Sequence, residues 1–405
     1  MAKVAKRDLT RQQQLARGPI DLPFLGLTLL LLGIGLVMLL SASSYAASME
    51  KVSNYDPTYY FKRQAGYAVL GIIVMFLVSR MDYQWLRGIS PFVLLAAILL
   101  LIAVLIPGVG ITRNYATRWL KIGVQFQPSE VAKLGVVLFF AATLSKRPAK
   151  PTKFKKHYKE PVETLRNYYY KWDVNELIPL VMILGMIAVL MLMEPHLSGT
   201  ILIFAAAAAV MFAAGIKLGW FVAGGGFMAF AVWFILVVVG YNGERIQTWQ
   251  DPWWDPGNKS FQIVQSLYSV ASGGLSGLGL GQSRQKFLYL PEEQNDFIFA
   301  IVCEELGFIG ATLIVILFAM LVIRGYWLAL HARDRFGALV IVGIITLLAV
   351  QVFLNIAVVT NLIPCTGVSL PFFSYGGTAL VIQLAEMGII LSISRQIPAP
   401  AEDED

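Results

Sequence analysis

The sequence predicts an all-α polytopic membrane protein with ten transmembrane helices, and three observations carry that expectation. The chain is 57% apolar, only 14% of it is Asp, Glu, Lys or Arg, and its mean hydropathy is +0.67. A soluble domain is about half apolar and a quarter charged. Apolar runs close to the roughly 20 residues that cross a bilayer recur along the chain. Lys and Arg gather in alternate connections between those runs, which is how orientation is encoded.

The runs lie near residues 23–42, 64–79, 92–107, 130–145, 177–193, 199–215, 219–240, 297–323, 337–360 and 373–394. The first is followed by SASSYAAS, faintly like a signal-peptidase site. It is longer than the 7–15 residues of a signal-peptide apolar core, so it reads as a retained helix. The fifth and sixth are joined by EPHLSG alone and form a tight hairpin. Ten crossings put both termini on one side. The N-terminal tail, residues 1–22, carries Lys3, Lys6, Arg7, Arg11 and Arg17, and the loop 146–176 is denser still in Lys and Arg. Arg80, Arg87, Arg324, Arg333 and Arg335 fall on the same side, which is therefore cytoplasmic. The net charge of +7 is thus a topology signal with anionic lipid as a further contact, and no nucleic acid is needed to explain it. Residues 23–395 read as one transmembrane domain, and 396–405 as a short acidic cytoplasmic tail.

The longest extracytoplasmic loop, residues 241–296, then lies between the seventh and eighth helices. Its Trp249, Trp253 and Trp254 suit the headgroup belt where amphipathic rings settle. Ser260 to Val270 is apolar but too short to span, which predicts a re-entrant or surface-lying helix. Two cysteines, Cys303 and Cys365, give no disulfide framework, and three scattered histidines give no metal-ligand spacing.

Three outer segments concentrate chemistry. From Gly277 to Gly310 the chain passes from glycines through Arg284 and Lys286 to Glu292, Glu293 and Asp296, then enters an apolar run holding Glu304 and Glu305. Acids at such depth are costly unless used or paired, so Glu304 and Glu305 are expected to meet cations of neighbouring helices. Asp296 opens the helix, where backbone N–H groups favour a carboxylate; a cap and a catalytic base are both open readings. The second segment, Asn114 to Lys133, sets Arg118 and Lys121 against the positive-inside trend. Its Glu130 and Lys133, spaced i, i+3, share a helical face, as a packing salt bridge or as substrate contacts. The third, Pro364 to Thr378, follows Asn355 and reads PCTGVSLPFFSYGGT. Non-helical backbone at membrane depth is tolerated only inside protein or along a wet cavity, although Gly376 and Gly377 suit close helix packing equally. Glu194 and His196 read as turn residues of the hairpin.

GLGQSRQKFLYLPEEQNDFIFAIVCEELGFIG, FQPSEVAK and TGVSLPFFSYGGT, with TYYFKRQ at Thr58 to Gln64, resemble the signatures of the SEDS family (shape, elongation, division and sporulation proteins). The resemblance covers essentially the whole membrane region and lies nearer the division and sporulation branch than the elongation branch. It implies a multi-pass glycosyltransferase of the bacterial cytoplasmic membrane, acting at the septum or in sporulation. Such an enzyme polymerises lipid II into β-1,4 glycan at the outer face and releases undecaprenyl diphosphate. Implied partners are lipid II, undecaprenyl-diphosphate-linked glycan, a class B penicillin-binding protein (the transpeptidase) and other divisome membrane proteins. The family's essential aspartate falls on Asp296, its Glu–Lys pair on Glu130 and Lys133, and its Arg–Trp pair on Arg118 and Trp119. Arg284, Lys286, Ser374 and Tyr375 complete the candidate substrate contacts. Charge neutralisation at the diphosphate would come from the cations, with or without a divalent cation such as Mg or Mn. Two departures stand out: Gln294 and Asn295 replace the first residues of an HTDF motif, and Glu194-Pro195-His196 stands where many members have an aspartate-bearing QPDLGT hairpin. Two other readings remain at this stage, a lipid II flippase and a non-catalytic divisome scaffold.

Overall fold

The computed structural model describes residues 18–113, 116–122, 124–147, 174–233 and 243–397. The basic tail through Arg17, the bulk of the basic loop (148–173), residues 234–242 at the end of the seventh predicted span, Asn114 and the acidic tail from 398 lie outside the described residues.

Each of the ten apolar runs coincides with a helix: α1 (Leu22–Met49), α2 (Tyr59–Arg80), α3 (Gln84–Leu105), α4 (Pro128–Leu144), α5 (Val174–Met193), α6 (Leu197–Ala213) and α7 (Leu218–Trp233). Two short helices follow, α8 (Gly243–Gln250) and α9 (Phe261–Ser272), before α10 (Ile298–His331), α11 (Arg335–Val359) and α12 (Gly377–Ser394). Among the described residues, seven of these (α1, α2, α3, α5, α10, α11 and α12) are long and apolar enough to cross a membrane. Helix starts follow local chemistry. Asp21 caps α1 by accepting from the Phe24 N–H at 2.9 Å, Asp334 caps α11 through the Gly337 N–H at 3.2 Å, and Pro128 sits in the first turn of α4.

The bundle is not wholly helical. Between α3 and α4 the chain forms an antiparallel sheet in the order β1 (Gly110–Arg113), β2 (Ala116–Ile122), β3 (Val124–Phe126), with Ile111 opposite Trp119 and Leu120 opposite Phe126. This corrects the all-α expectation. Thr, Trp, Ile, Val and Phe make up much of the segment, and a strand ladder pairs its backbone groups where the helices have ended.

The core runs through α11, flanked by α4, α6, α10 and α12, while α2 packs along α12 and α3 along α4. Two-thirds of the apolar window of α11 is inside the protein, against about a quarter in α2, α3 and α5. The outer helices therefore give most of their apolar surface to lipid. Gly388 lets α12 close on α2, since a Cβ there would meet the Met75 carbonyl at 2.6 Å. The predicted surface-lying segment is α9, which rests on α10 and α11 through Ser269 Oγ to Ala300 O (3.1 Å) and Ser266 Oγ to Val359 O (2.8 Å).

α10 departs most from a plain spanning helix. At Gly307 the backbone turns to φ 66°, ψ −172°, separating a stub, 298–306, from the long remainder. The carbonyls freed by the break are taken up by the preceding loop: Leu278 N–H donates to Glu304 O (2.9 Å) and Gly279 N–H to Glu305 O (3.0 Å). On the other side, Phe308 and Ile309 donate to the carbonyls of Gly274 and Leu275 at 2.9 and 3.1 Å. The crossing leaves no space for a side chain, because a Cβ on Gly307 would stand 2.7 Å from Leu275 O. Gly307→Ala combines that clash with a left-handed backbone and should destabilise by at least about 1–3 kcal/mol. The check is the apparent melting temperature of detergent-purified protein, expected to fall by several degrees, whereas Gly33→Ala in α1, where an added Cβ meets nothing within 4 Å, falls less.

Candidate functional site

The site forms at the end of the bundle where α2, α4, α6, α10 and α12 begin. Its foundation is three successive backbone carbonyls before α10. Gln294 O accepts from the Tyr375 N–H at 2.8 Å, Asn295 O from Ser374 Oγ at 2.7 Å, and Asp296 O from Asn355 Nδ2 at 2.7 Å. Asn355 Nδ2 also reaches Val368 O at 2.7 Å, and Gln64 grips Ser374 O (3.1 Å) and the Gly376 N–H (3.3 Å). The segments preceding α10 and α12 are thereby knitted to α2 and α11. Phe297, not Asp296, occupies the N-cap of α10 and makes no side-chain cap bond. The expectation that Asp296 opens the helix is corrected by one residue, and its carboxylate lies outside the helix. It stands over Gly367 (φ 68°), where a Cβ would come within 3.2 Å of Oδ2. Glycine is required there both for the backbone and for the acid.

Asp296 lines a cavity of about 700 Å³. Arg118, Trp119, Glu130, Lys133 and Tyr375 line the same cavity, so six of the nine residues singled out from the sequence converge. Arg118 leaves β2 and donates to the carbonyls of Glu194 (3.3 Å) and Pro195, tying the sheet to the α5–α6 hairpin. Lys133 Nζ pairs with Glu130 Oε2 at 2.7 Å on the first turns of α4, with the ammonium end almost wholly buried. Ser374 faces a narrow adjoining pocket of about 30 Å³, shared with Glu130, Lys133 and Glu386; that is about the space of one water.

Arg284 and Lys286 do not line the cavity. Arg284 is exposed and its N–H donates to Glu304 Oε1 at 3.0 Å. Lys286 is buried, with Nζ on Glu305 Oε1 at 3.2 Å and on Gly281 O at 2.6 Å. The acids inside α10 draw the nearest cation and backbone donors, because a carboxylate at that depth is costly without them. Their partners come from their own preceding loop, from Ser269 of α9 and from Ser41 of α1 rather than from cations of neighbouring helices.

Sequence reasoning missed Arg63, Tyr67 and Arg245, which also line the cavity. Arg245, on α8, donates to Cys365 O at 3.3 Å. The available signal was a cation in a connection expected on the outer side, against the positive-inside trend, the same signal that marked Arg118. His196 belongs to the cavity wall as well, its Nε2 3.4 Å from Gln127 Nε2.

Electrostatics around the hairpin oppose one another. Burial pushes the Glu194 carboxyl up to about 8, with Arg118 pulling the other way. Burial, then the charges of Arg118 and Lys133, push the His196 imidazole down to about 3. Beside Asp296, burial and then the aspartate charge raise the Cys365 thiol to about 11. Burial, joined by Glu292 and Glu50, lifts Glu293 to about 7.

Residues 22–398 match the FtsW/RodA/SpoVE family profile, described as cell cycle protein. The chain belongs to this family. Stage V sporulation protein E of Bacillus subtilis (strain 168) is 42% identical over 380 residues, spanning 93% of this chain and 97% of that protein. A probable peptidoglycan glycosyltransferase FtsW of Geobacter sulfurreducens is 37% identical over 378 residues, spanning 93% and 95%. Among solved structures, a chain described under "Structural coordination of polymerization and crosslinking by a peptidoglycan synthase complex" superposes with a TM-score of 0.72 at 28% identity, covering 93% of this chain and 98% of that one. The rod shape determining protein RodA of Thermus thermophilus gives a TM-score of 0.64 at 25% identity, covering 94% and 98%. SEDS membership thus agrees with the fold and the motif positions alike.

The hairpin gives a pH dependence whose sign can be worked out. A carboxyl raised to about 8 when folded holds its proton where the unfolded chain has lost it, so stability falls as pH rises from about 4.5 through 8. Glu194→Gln should flatten that fall, so that its apparent melting temperature drops less than the parent's between pH 6 and pH 8.5. For His196, depressed to about 3, the loss instead comes on acidification below about 6.5. His196→Gln should protect between pH 6.5 and pH 4.

Proposed function

We propose that this chain is a peptidoglycan glycosyltransferase that polymerises lipid II, with Asp296 as the general base. The observation that carries the reading is one half-buried carboxylate, fixed through its own backbone, in a cavity lined also by Arg63, Arg118, Lys133 and Arg245. Glycosyl transfer from a lipid diphosphate needs both: an acceptor for one hydroxyl proton, and positive charge where the diphosphate departs.

In this reading the 4-hydroxyl of the acceptor's N-acetylglucosamine gives its proton to an Asp296 oxygen. The hydroxyl oxygen bonds to the anomeric carbon of the growing strand, and the bond from that carbon to the undecaprenyl diphosphate breaks. The linkage inverts from α to β, which suits one displacement with one base. Inverting hydrolases carry a second carboxylic acid to protonate the leaving group, but a diphosphate leaves as an anion. Cations replace that acid here. Arg118 and Lys133 sit on the sheet and α4 side, while Tyr375 and Trp119 offer ring faces and polar edges for sugar.

The residues fit a divalent cation only sparingly. Among the described residues no three of His, Cys, Asp and Glu are grouped closely enough to hold a metal ion by themselves. A Mg or Mn ion would be held by Asp296 together with the substrate's own diphosphate oxygens, and it would supply charge neutralisation.

The wider setting follows the same reading. The ten apolar helices α1–α7 and α10–α12 serve as ten crossings, with both termini cytoplasmic and residues 241–296 outside. Support comes from the cations: Arg80, Arg87, Lys146, Arg147, Arg333 and Arg335 all fall at the end of the bundle opposite the cavity. A class B penicillin-binding protein serves as the transpeptidase partner, within a septal or sporulation assembly.

Polymerisation of lipid II by the detergent-purified chain with its transpeptidase partner, read as glycan strands on a gel, tests the assignment. Asp296→Asn should lower the rate at least a hundredfold, in line with the ~10²–10⁴ that a positioned base supplies, at unchanged expression and partner binding. Strand synthesis by that variant at the parent rate would remove Asp296 as base. Lipid II left unchanged by the parent itself would favour a transporter.

A further inference from the structure

The acids inside α10 lie outside the proposed chemistry, yet they make a dense buried polar network. Glu304 is fully buried and accepts from Ser269 Oγ (3.1 Å), Ser283 Oγ (2.5 Å), the Arg284 N–H (3.0 Å) and the Gln285 N–H (3.3 Å). Glu305, equally buried, accepts from Ser41 Oγ at 2.7 Å to both oxygens, from the Ser283 N–H at 3.2 Å and from Lys286 Nζ at 3.2 Å. Lys286 is saturated in turn, with Nζ also on Gly281 O at 2.6 Å and within 3.4 Å of Ser41 Oγ. An ammonium bonded in this way has no donor to spare for a diphosphate.

The network sits where it can govern the base. Glu304 and Glu305 are on the stub 298–306, eight and nine residues after Asp296, or about 12 Å along a helix at 1.5 Å per residue. Gly307 uncouples the stub from the rest of α10. Continuity of the helix therefore does not fix its axis. What fixes it at the inner end is the loop 273–286, which is laid onto it by the carboxylates and by the Leu278 and Gly279 N–H bonds, and tied to α1 through Ser41. At the outer end the stub begins with Asp296 and the three anchored carbonyls.

We propose that Lys286 acts on the reaction through Glu305. Their ion pair, with Ser41, clamps the broken half of α10 to α1 and so holds Asp296 in register with the cavity. Lys286, Glu305 and Ser41 are positioning residues, and Lys286 does not touch the diphosphate. The inference rests on the reading of Asp296 as base.

Steady-state polymerisation by the purified chain with its partner, at varied lipid II, tests the clamp. Lys286→Met and Glu305→Gln each strand a buried partner and should lower kcat at least tenfold with KM for lipid II within threefold of the parent. The double variant Lys286→Met/Glu305→Leu removes both charges and should recover at least threefold in kcat over either single variant, because the unpaired buried charge has gone. Ser41→Ala keeps the ion pair and loses one tie, so a smaller fall in kcat, about threefold, is expected at parental thermal stability. The clamp is overturned by a diphosphate-ligand pattern: Lys286→Met raising KM tenfold or more, Glu305→Gln near parental, and no recovery in the double variant. It is overturned equally by parental kcat in the double and Ser41→Ala variants, whether or not the single variants fold. Parental activity in Asp296→Asn would instead sink the base assignment, so the two failures are distinguishable.

Discussion

Three consecutive peptide carbonyls, at Gln294, Asn295 and Asp296, each bound by a different donor from the far end of the chain, are the constraint on which the site depends. A residue just before a helix has several backbone options, and an unsatisfied carbonyl inside a membrane protein is costly. Tyr375, Ser374 and Asn355 settle both matters together: they satisfy the carbonyls and choose one conformation for the acid that follows. The glycines around them serve the same end. Gly367 makes space under the carboxylate, and Gln64 of α2 locks the donors themselves. A reactive side chain is precise when its backbone has been immobilised by packing and hydrogen bonds, and this one is held from α2, α11 and the turn before α12.

Burying charge in lipid is the second theme, and the chain handles it by locality. Lys133 finds Glu130 one helical turn away, Arg324 finds Asp21 at the foot of α1, and Lys286 finds Glu305 across a loop. The Arg324–Asp21 and Lys286–Glu305 pairs each weld two elements that apolar packing alone would let slide, because lipid tails offer helices no hydrophobic reason to prefer one another. The expensive residues are thus also the ones that specify arrangement.

Helix positions were plainly legible, because span length and hydropathy are one-dimensional properties. α1 through α7 and α10 through α12 fall on the ten apolar runs. The three motif segments were legible as polar outliers beside those runs, and their convergence with Asp296 agrees with that reading for Arg118, Trp119, Glu130, Lys133 and Tyr375. Less visible was anything decided by through-space competition. Lys286 lies ten residues from Asp296 in sequence and carries the right charge, but Glu305 claims it. The sheet between α3 and α4 was hidden because its alternation is brief and sits between stronger helical signals. Gly307 gave no warning either: a single glycine within an apolar run usually marks close packing, and only the backbone turn at φ 66° reveals a break.

The sheet has a consequence for how the cavity responds to its surroundings. Helices answer a thicker or thinner membrane by tilting, at little cost per ångström. Strand ladders do not, since their register is fixed by pairs such as Leu120 with Phe126. With Trp119 on β2 and Arg118 anchored to the hairpin carbonyls, one wall of the cavity is held by strand register and hydrogen bonds in place of helix tilt. The wall should keep its shape across bilayers of differing composition while the helices beneath it adjust.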